Sequence, residues 1–221
     1  MYRIETHLHT KYVSKCGRLD AKALLEGYKA AGYSGIIVTD HYNRITFDYL
    51  GIDLSSSVNK VRPFLAGYYR LAEEGEKQGI RVFKGAELRF DECENDYLLY
   101  GYRDDLLSDP EAVFRMGIAA FSPIARGQGA LIVQAHPYRG KCTPAIACYL
   151  DGVEVRNLNP RHESHNEWAE AYAERFGLLR LAGSDCHRTE DIAATGICSD
   201  ELPEDPMGMV RLIRSRRYSL L

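Results

Sequence analysis

Residues 34–41 read SGIIVTDH: a short apolar run, Ile36 to Val38, closed abruptly by Asp40 and His41. A run that is apolar without alternation is the pattern of a strand covered on both faces, as strands are in parallel sheets. Its polar ending places two chemically active side chains at the carboxyl end of a buried strand. The rest of the chain can be tested for repetition of that design.

It repeats. YRIETHLH (2–9) is a strand that ends on His7 and His9. IRVFKGAELRF (80–90) carries Glu87 late in the run, GALIVQAHP (129–137) ends on His136, and LLRLAGSD (178–185) leads into Asp185 and His187. YLLYGY (97–102), DGVEVRN (151–157) and TGICSDEL (195–202) read as further strands. Between them lie segments with helical apolar spacing: 19–33, 59–79 with a Pro in its first turns, 110–128 with Pro123 as its expected break, 164–177 and 206–217. AIACYL (145–150) reads as a short helix or turn.

Strands alternating with helices of this length predict βαβ units and a mostly parallel sheet. No linker, charge block or repeat divides the chain, so residues 1–221 are expected to form one domain of about seven βα units. Polar groups at the ends of at least five strands favour a closed or nearly closed ring, because the strand ends of a (β/α) barrel surround one mouth. An open sheet concentrates its site at one switch point instead.

The spacing at those ends suits metal ions. Residues i and i+2 of a strand share a face about 6.6 Å apart, so the H-x-H of His7 and His9 can present two imidazoles to one ion. D-x-H at Asp185 and His187 repeats the geometry with a carboxylate. Asp40 and His41 are adjacent and point oppositely in a regular strand; His41 is favoured as the ligand, with Asp40 orienting a ligand or packing at the rim. Glu87 and Asp185 are the candidates to bridge two ions, since a carboxylate offers two oxygens. Each histidine alone would more often be a surface or hydrogen-bonded core residue. Together, without an ion, they would carry a heavy desolvation cost. The expected set is His7, His9, His41, Glu87, His136, Asp185 and His187. A mixture of imidazole and carboxylate suits zinc, manganese or iron.

The remaining composition bounds the function. The formal net charge of −3 argues against an electrostatic nucleic-acid binder. The one basic run, RLIRSRRYSLL (211–221), reads as a solvated face of a terminal helix rather than a phosphate-binding tail. No stretch reaches the ~20 apolar residues of a membrane span, and the opening residues lack a secretory pattern. Six cysteines, none in a C-x-x-C pair, suggest free thiols and a cytoplasmic location.

THLHTKY (6–12), IIVTDHY (36–42), KGAEL (84–88), QAHP (134–137) and AGSDCH (182–187), taken in order, resemble the PHP superfamily, the polymerase and histidinol phosphatase domain. The resemblance spans most of the chain. It implies a distorted (β/α)7 barrel holding two or three divalent ions, with phosphoester hydrolysis as the activity and the seven residues above as ligands. Two departures concern the third ion. Where such proteins follow H-x-H-T with an Asp- or His-bearing run, this chain has KYVSKCG, which leaves Cys16; where they carry a histidine before a strand like YLLYG, it has Asn95 and Asp96.

Metal-assisted hydrolysis of a small phosphomonoester is therefore expected, with Glu87, Asp185 and His187 at its centre. His187 could act as an acid, but its D-x-H spacing favours ligation. The polar segment VRNLNPRHESHNE (155–167) offers Arg161 to grip a phosphate bidentately and His162 or His165 to hold it or protonate the leaving oxygen. Arg139 and Lys141, just beyond His136, are further phosphate candidates. Tyr42, Phe47 and Tyr49, in the long segment after His41, could stack on a nucleobase or line the pocket. The rivals are a nuclease acting on phosphodiesters and a non-catalytic domain with a structural metal. Oligomeric state is not legible.

Overall fold

A computed structural model describes residues 1–55 and 60–221. In chain order the strands and helices are β1 (Tyr2–Leu8), α1 (Ala21–Ala30), β2 (Tyr33–Val38), β3 (His41–Tyr42), α2 (Arg44–Tyr49), α3 (Val61–Phe64), α4 (Ala66–Gln78), β4 (Arg81–Arg89), β5 (Asp96–Tyr100), α5 (Pro110–Gly127), β6 (Leu131–Gln134), β7 (Gly152–Asn157), α6 (Asn166–Phe176), β8 (Leu179–Gly183), β9 (Ile197–Ser199), α7 (Pro206–Ser215) and β10 (Ser219–Leu220). The strands lie in the order β10-β9-β1-β2-β4-β5-β6-β7-β8, with β3 beside β4.

The two flanks of this path meet. Leu8 bridges Cys186 in parallel just past β8. The Cys186 N–H donates to the His7 carbonyl at 3.2 Å, and the His9 N–H donates to the Cys186 carbonyl at 2.9 Å. Buried Glu5 ties the same seam: its Oε1 accepts the N–H groups of Thr6, His7 and Ser184, and its Oε2 accepts the Tyr28 hydroxyl. Burial still holds this carboxyl above its ordinary range. The result is a distorted barrel whose mouth is ringed by strand ends.

The sheet is less parallel than the alternation predicts. β5 runs antiparallel to both β4 and β6, and β9 and β10 add antiparallel pairs beside β1. Chain length explains the reversal at β5. A parallel crossover takes about a dozen residues or more, and only residues 90–95 join β4 to β5. Consequently β5 starts, rather than ends, at the mouth.

The helices cover the outside. Asp20 caps α1 by accepting the Ala23 N–H at 2.9 Å, and Leu24, Leu25 and Tyr28 form its buried face. α7 buries Met209, Val210, Leu212 and Ile213 in one cluster with Phe83, Leu98, Tyr100 and Val133. The expected break at Pro123 lies elsewhere: α5 continues through Pro123 and kinks at Gly117 (φ 73°). A Cβ at Gly117 would lie 2.4 Å from Glu92 Oε2, while Glu92 Oε1 accepts the Ile118 N–H at 2.9 Å and so starts the second half of the helix. The C-terminal arginines are tethers: Arg214 and Arg216 donate to carbonyls of residues 129–130 and 177–178, and Arg217 pairs with Glu201.

Candidate metal centre

β1 delivers His7 and His9 to the same side, with their Nε2 atoms 3.1 Å apart. Glu87, from β4, lies between four histidines. Its Oε1 is 3.2 Å from both His7 Nε2 and His136 Nε2. Its Oε2 is 3.4 Å from His9 Nε2 and 2.7 Å from His41 Nδ1. Asp185, past β8, sets Oδ1 3.2 Å from His9 Nε2, 3.5 Å from His7 Nε2 and 3.4 Å from His187 Nδ1. His41 reaches the group because the chain bends after β2: β3 restarts beside β4, with His41 opposite Glu87.

The chain breaks ordinary backbone preferences to make this cluster. His136 (φ 28°) and Asp185 (φ 50°) occupy the left-handed region, which costs a non-glycine residue roughly 1–3 kcal/mol. Hydrogen bonds hold both in place. The His136 N–H donates to Glu154 Oε2 at 3.1 Å. The Asp185 carbonyl accepts from Asn159 Nδ2 at 3.0 Å and from His187 Nδ1–H at 2.7 Å.

Partners beyond the cluster fix which nitrogen each ring presents. His7 Nδ1 lies 2.9 Å from Glu154 Oε1. A carboxylate accepts only, so His7 carries its proton on Nδ1 and turns Nε2 inward. His9 Nδ1 is 3.4 Å from Ser14 Oγ, whose own proton goes to Asp40 Oδ1 at 2.7 Å. His9 therefore also presents Nε2. Asp40 faces away from the cluster and latches the loop after β1, accepting the Thr10 N–H and hydroxyl, each at 2.7 Å. Burial pushes the Asp40 carboxyl up to about 6 against these hydrogen bonds.

The electrostatics suit a cation. Burial disfavours charge throughout, yet His7 and His41 hold the Glu87 carboxyl well below its usual range, and His7, His9 and Arg139 do the same for Asp185. Burial, then His41 and His187, keeps His9 neutral. Around His7, Glu154, Asp185 and Glu87 outweigh burial and favour a proton. Protons and metal ions compete for such atoms.

The donor set fits divalent ions. Two ligands about 2.0–2.1 Å from one tetrahedral ion stand ~3.3 Å apart, close to the 3.1–3.5 Å spacings among His7, His9, Glu87 and Asp185. His41 Nδ1 and Glu87 Oε2 lie 2.7 Å apart as an ion pair, but neither atom has a well-aligned hydrogen bond. Among the described residues four groups could each hold an ion: His7, His9 and Asp185; His7, Glu87 and His136; His9, His41 and His187; and Asp96, His136 and Cys142.

Other residues named from sequence are placed less uniformly. The exposed Cys16 stands by His187 and His41; burial of its sulfur acts upward, but hydrogen bonding to those rings pulls the thiol down to about 6. Asp96 is gripped by Arg89 through two bonds of 2.8 and 2.6 Å. Arg139 binds Asp185 Oδ2 at 2.5 Å. The Arg161 fork is engaged by Asp191, with two bonds of 2.6 Å. His162 lines a cleft with His187 and Asn159. His165 is not brought into the cluster: it takes a left-handed conformation at the start of α6 and stacks on Trp168, rings 4.2 Å apart. Lys141 is exposed, and Arg156 donates to the Leu221 carbonyl. Tyr42 and Phe47 are buried against Phe64 and Phe114, which removes them as a stacking surface; Tyr49 is half-exposed. Residues 56–59 of that segment lie outside the described residues.

Sequence reading passed over Glu154, Ser14 and Asn159. Glu154 left a signal. It sits between Val153 and Val155 in a strand whose residues are nearly all buried, and a lone carboxylate there requires a buried partner. Gly183 also has a reason: a Cβ on it would lie 2.4 Å from His7 Cβ and 2.7 Å from Glu154 Oε1. Gly183→Ala is expected to cost ~1–3 kcal/mol of stability by overpacking, measurable as a lower urea midpoint at constant slope.

Comparison with known proteins gives the family and supports the fold. The PHP domain family matches residues 5–188, and a PHP-associated family matches residues 163–217. No curated protein matches the chain. Among solved structures, a two-domain protein from Bacteroides vulgatus, described as containing a predicted PHP-like metal-dependent phosphoesterase, superposes with a TM-score of 0.69 at 17% identity. That match covers all of this chain and 64% of the other. PsfC from Pseudomonas syringae gives 0.68 at 19% identity, covering 100% and 92% of the two chains. An amidohydrolase from Chromobacterium violaceum, crystallised with sulfate and no metal, gives 0.59 at 16%, covering 99% and 97%. At such identities the structures speak for the fold; the family match covers most of the sequence. The chain belongs to the PHP domain family.

Proposed function

We propose that the protein hydrolyses a small-molecule phosphomonoester at a centre of two or three divalent ions, zinc, manganese or iron. The observation that carries this reading is the convergence of His7, His9, Glu87, His136 and Asp185 in a buried cluster, in which Glu87 Oε2 and His41 Nδ1 lack a well-aligned hydrogen bond. Glu87 and Asp185 would each serve two ions, with the histidines completing the sets and His41 and His187 on the outer side. When bound, the ions supply an activated water and positive charge beside the phosphoryl oxygens.

The protein's own groups do the rest. Arg139, held by Asp185, would offer its guanidinium to a phosphoryl oxygen. His162, rather than the stacked His165, is the imidazole on the adjoining cleft and the candidate to receive the leaving oxygen. Burial, then Arg139, lowers its proton affinity. We read residues 1–221 as one domain, supported by α7 packing into the core beneath β5 and β6. Among the described residues no helix is long and apolar enough to cross a membrane; a cytoplasmic location rests on the cysteine usage.

Protein purified without chelator is expected to carry about two or more ions per chain by elemental analysis. Stripping them should abolish phosphomonoester hydrolysis, and manganese or zinc should restore it. Hydrolysis that survives complete metal removal would overturn the reading.

A further inference from the structure

Two cavities open beside the cluster, one on each side of Cys16. One, of about 370 Å³, reaches His41 and is walled by Lys15, Cys16, Arg18, Asn43 and Arg89 among others. The second, of about 300 Å³, reaches His187 and is walled by Cys16, Asn159, Arg161, His162 and Arg188. Neither contains a carboxylate. Three other surface cavities, of about 370–410 Å³, each have acidic walls, including Glu76, Glu73 and Glu92 respectively. A chain with 31 acidic and 28 basic residues has thus cleared its acids from the two clefts at the cluster.

The cations of the two clefts differ. Arg161 is neutralised by Asp191, and Arg188 faces Glu190 at 3.9 Å. On the His41 side Arg89 is held by Asp96 and Glu94. Lys15 and Arg18, in contrast, pair with no acidic group among the described residues. Their loop is fixed: the Ser14 N–H donates to the Thr10 carbonyl, the Gly17 N–H to the Ser14 carbonyl and the Arg18 N–H to the His187 carbonyl. A Cβ at Gly17 would meet the Thr10 oxygen at 2.5 Å, so the turn is closed tightly on itself. Two unpaired cations on a fixed turn, over a wall without carboxylates, form a receptor for negative charge.

Building on the phosphomonoester reading, we propose that the substrate carries a second anionic group, a carboxylate or another phosphate, which Lys15 and Arg18 receive in the cleft beside His41. The ester phosphate lies over the cluster and Arg139; the remainder of the substrate extends past Cys16 towards this cleft. Lys15 and Arg18 then select among phosphomonoesters by the charge of the part that is not cleaved.

The test compares phenyl phosphate, 4-carboxyphenyl phosphate and 1,4-phenylene bisphosphate as substrates of the metal-loaded enzyme and of the Lys15→Ala/Arg18→Ala variant. Both residues are exposed, so the fold is expected to survive. The ratio of kcat/KM for each doubly anionic compound to that for phenyl phosphate should fall by about tenfold or more in the variant, as expected for losing charge-assisted contacts. A larger fall for the carboxylate or for the bisphosphate identifies the second group. Equal losses on all three would assign the cations to the ester phosphate and overturn the inference, as would no loss. If the wild type hydrolyses none of the three, the phosphomonoester reading itself falls, which is a separate outcome.

Discussion

Asp185→Ala should reduce phosphomonoester turnover about a thousandfold or more while leaving a folded protein. One Asp185 oxygen stands within 3.5 Å of nitrogens on His7, His9 and His187. The other takes Arg139 at 2.5 Å and lies 3.4 Å from Asn157 Nδ2. Removing the carboxylate removes a bridging candidate and releases the guanidinium that it aims. Asp185→Asn separates the two effects. The amide keeps the shape and can still accept from Arg139, but it lacks the charge that balances a divalent ion. Both variants should lose kcat, and the alanine variant should also show a raised KM. Circular dichroism and elemental analysis would show whether fold and metal content persist. A kcat near wild type in either variant would remove Asp185 from the centre.

Glu154→Ala is expected to weaken metal binding about 10–100-fold, the usual effect of losing the partner that orients a metal-ligating histidine. Its Oε1 sets the His7 ring, and its Oε2 accepts from the His136 N–H and from Asn157 Nδ2 at 2.9 Å. Truncation leaves His7 Nδ1–H and the His136 N–H without an acceptor in a buried site, each costing about 1–3 kcal/mol, so stability should fall as well. Glu154→Gln distinguishes the causes. Its amide oxygen can still accept from His7 Nδ1–H, but its NH2 then meets two donors. Metal competition with a chromophoric chelator should rank wild type above Gln above Ala. Equal affinity for all three would mean that the His7 ring is fixed by packing alone.

What the sequence discloses about this protein follows from how locally each feature is encoded. H-x-H is legible because β1 sends His7 and the residue two on to one side; D-x-H is legible by type alone, since Asp185 and His187 lie past β8 and a left-handed turn at Asp185, not strand alternation, aims them. The barrel is legible because the same polar ending recurs after separate apolar runs. Strand direction is not carried by apolar periodicity, and β5 is reversed; only the six-residue connection 90–95 reports it. Pro123 is a stronger breaker than Gly117 by propensity, yet Glu92, from another element, decides where α5 bends. The polar segment 155–167 showed many candidates and could not show their engagements. Asp191, 30 residues on, takes Arg161, and Trp168 takes His165. Glu154 meets His7 across 147 positions of sequence, a distance no local pattern spans.

The reversal of β5 also bears on how such a mouth can diversify. In a regular βα unit, a longer loop at the mouth must still deliver the chain to a helix and back to the next parallel strand. Between β4 and β5 both ends of the connection already sit at the same rim. Residues added there would reshape the rim with β4 and β5 kept in register, provided Glu92 and Asn95 still accept from the Ile118 and Thr143 N–H groups, and the entropic cost of a longer loop grows only slowly. The hairpin therefore gives this barrel a rim position where substrate range can change by insertion, independently of the residues that do the chemistry.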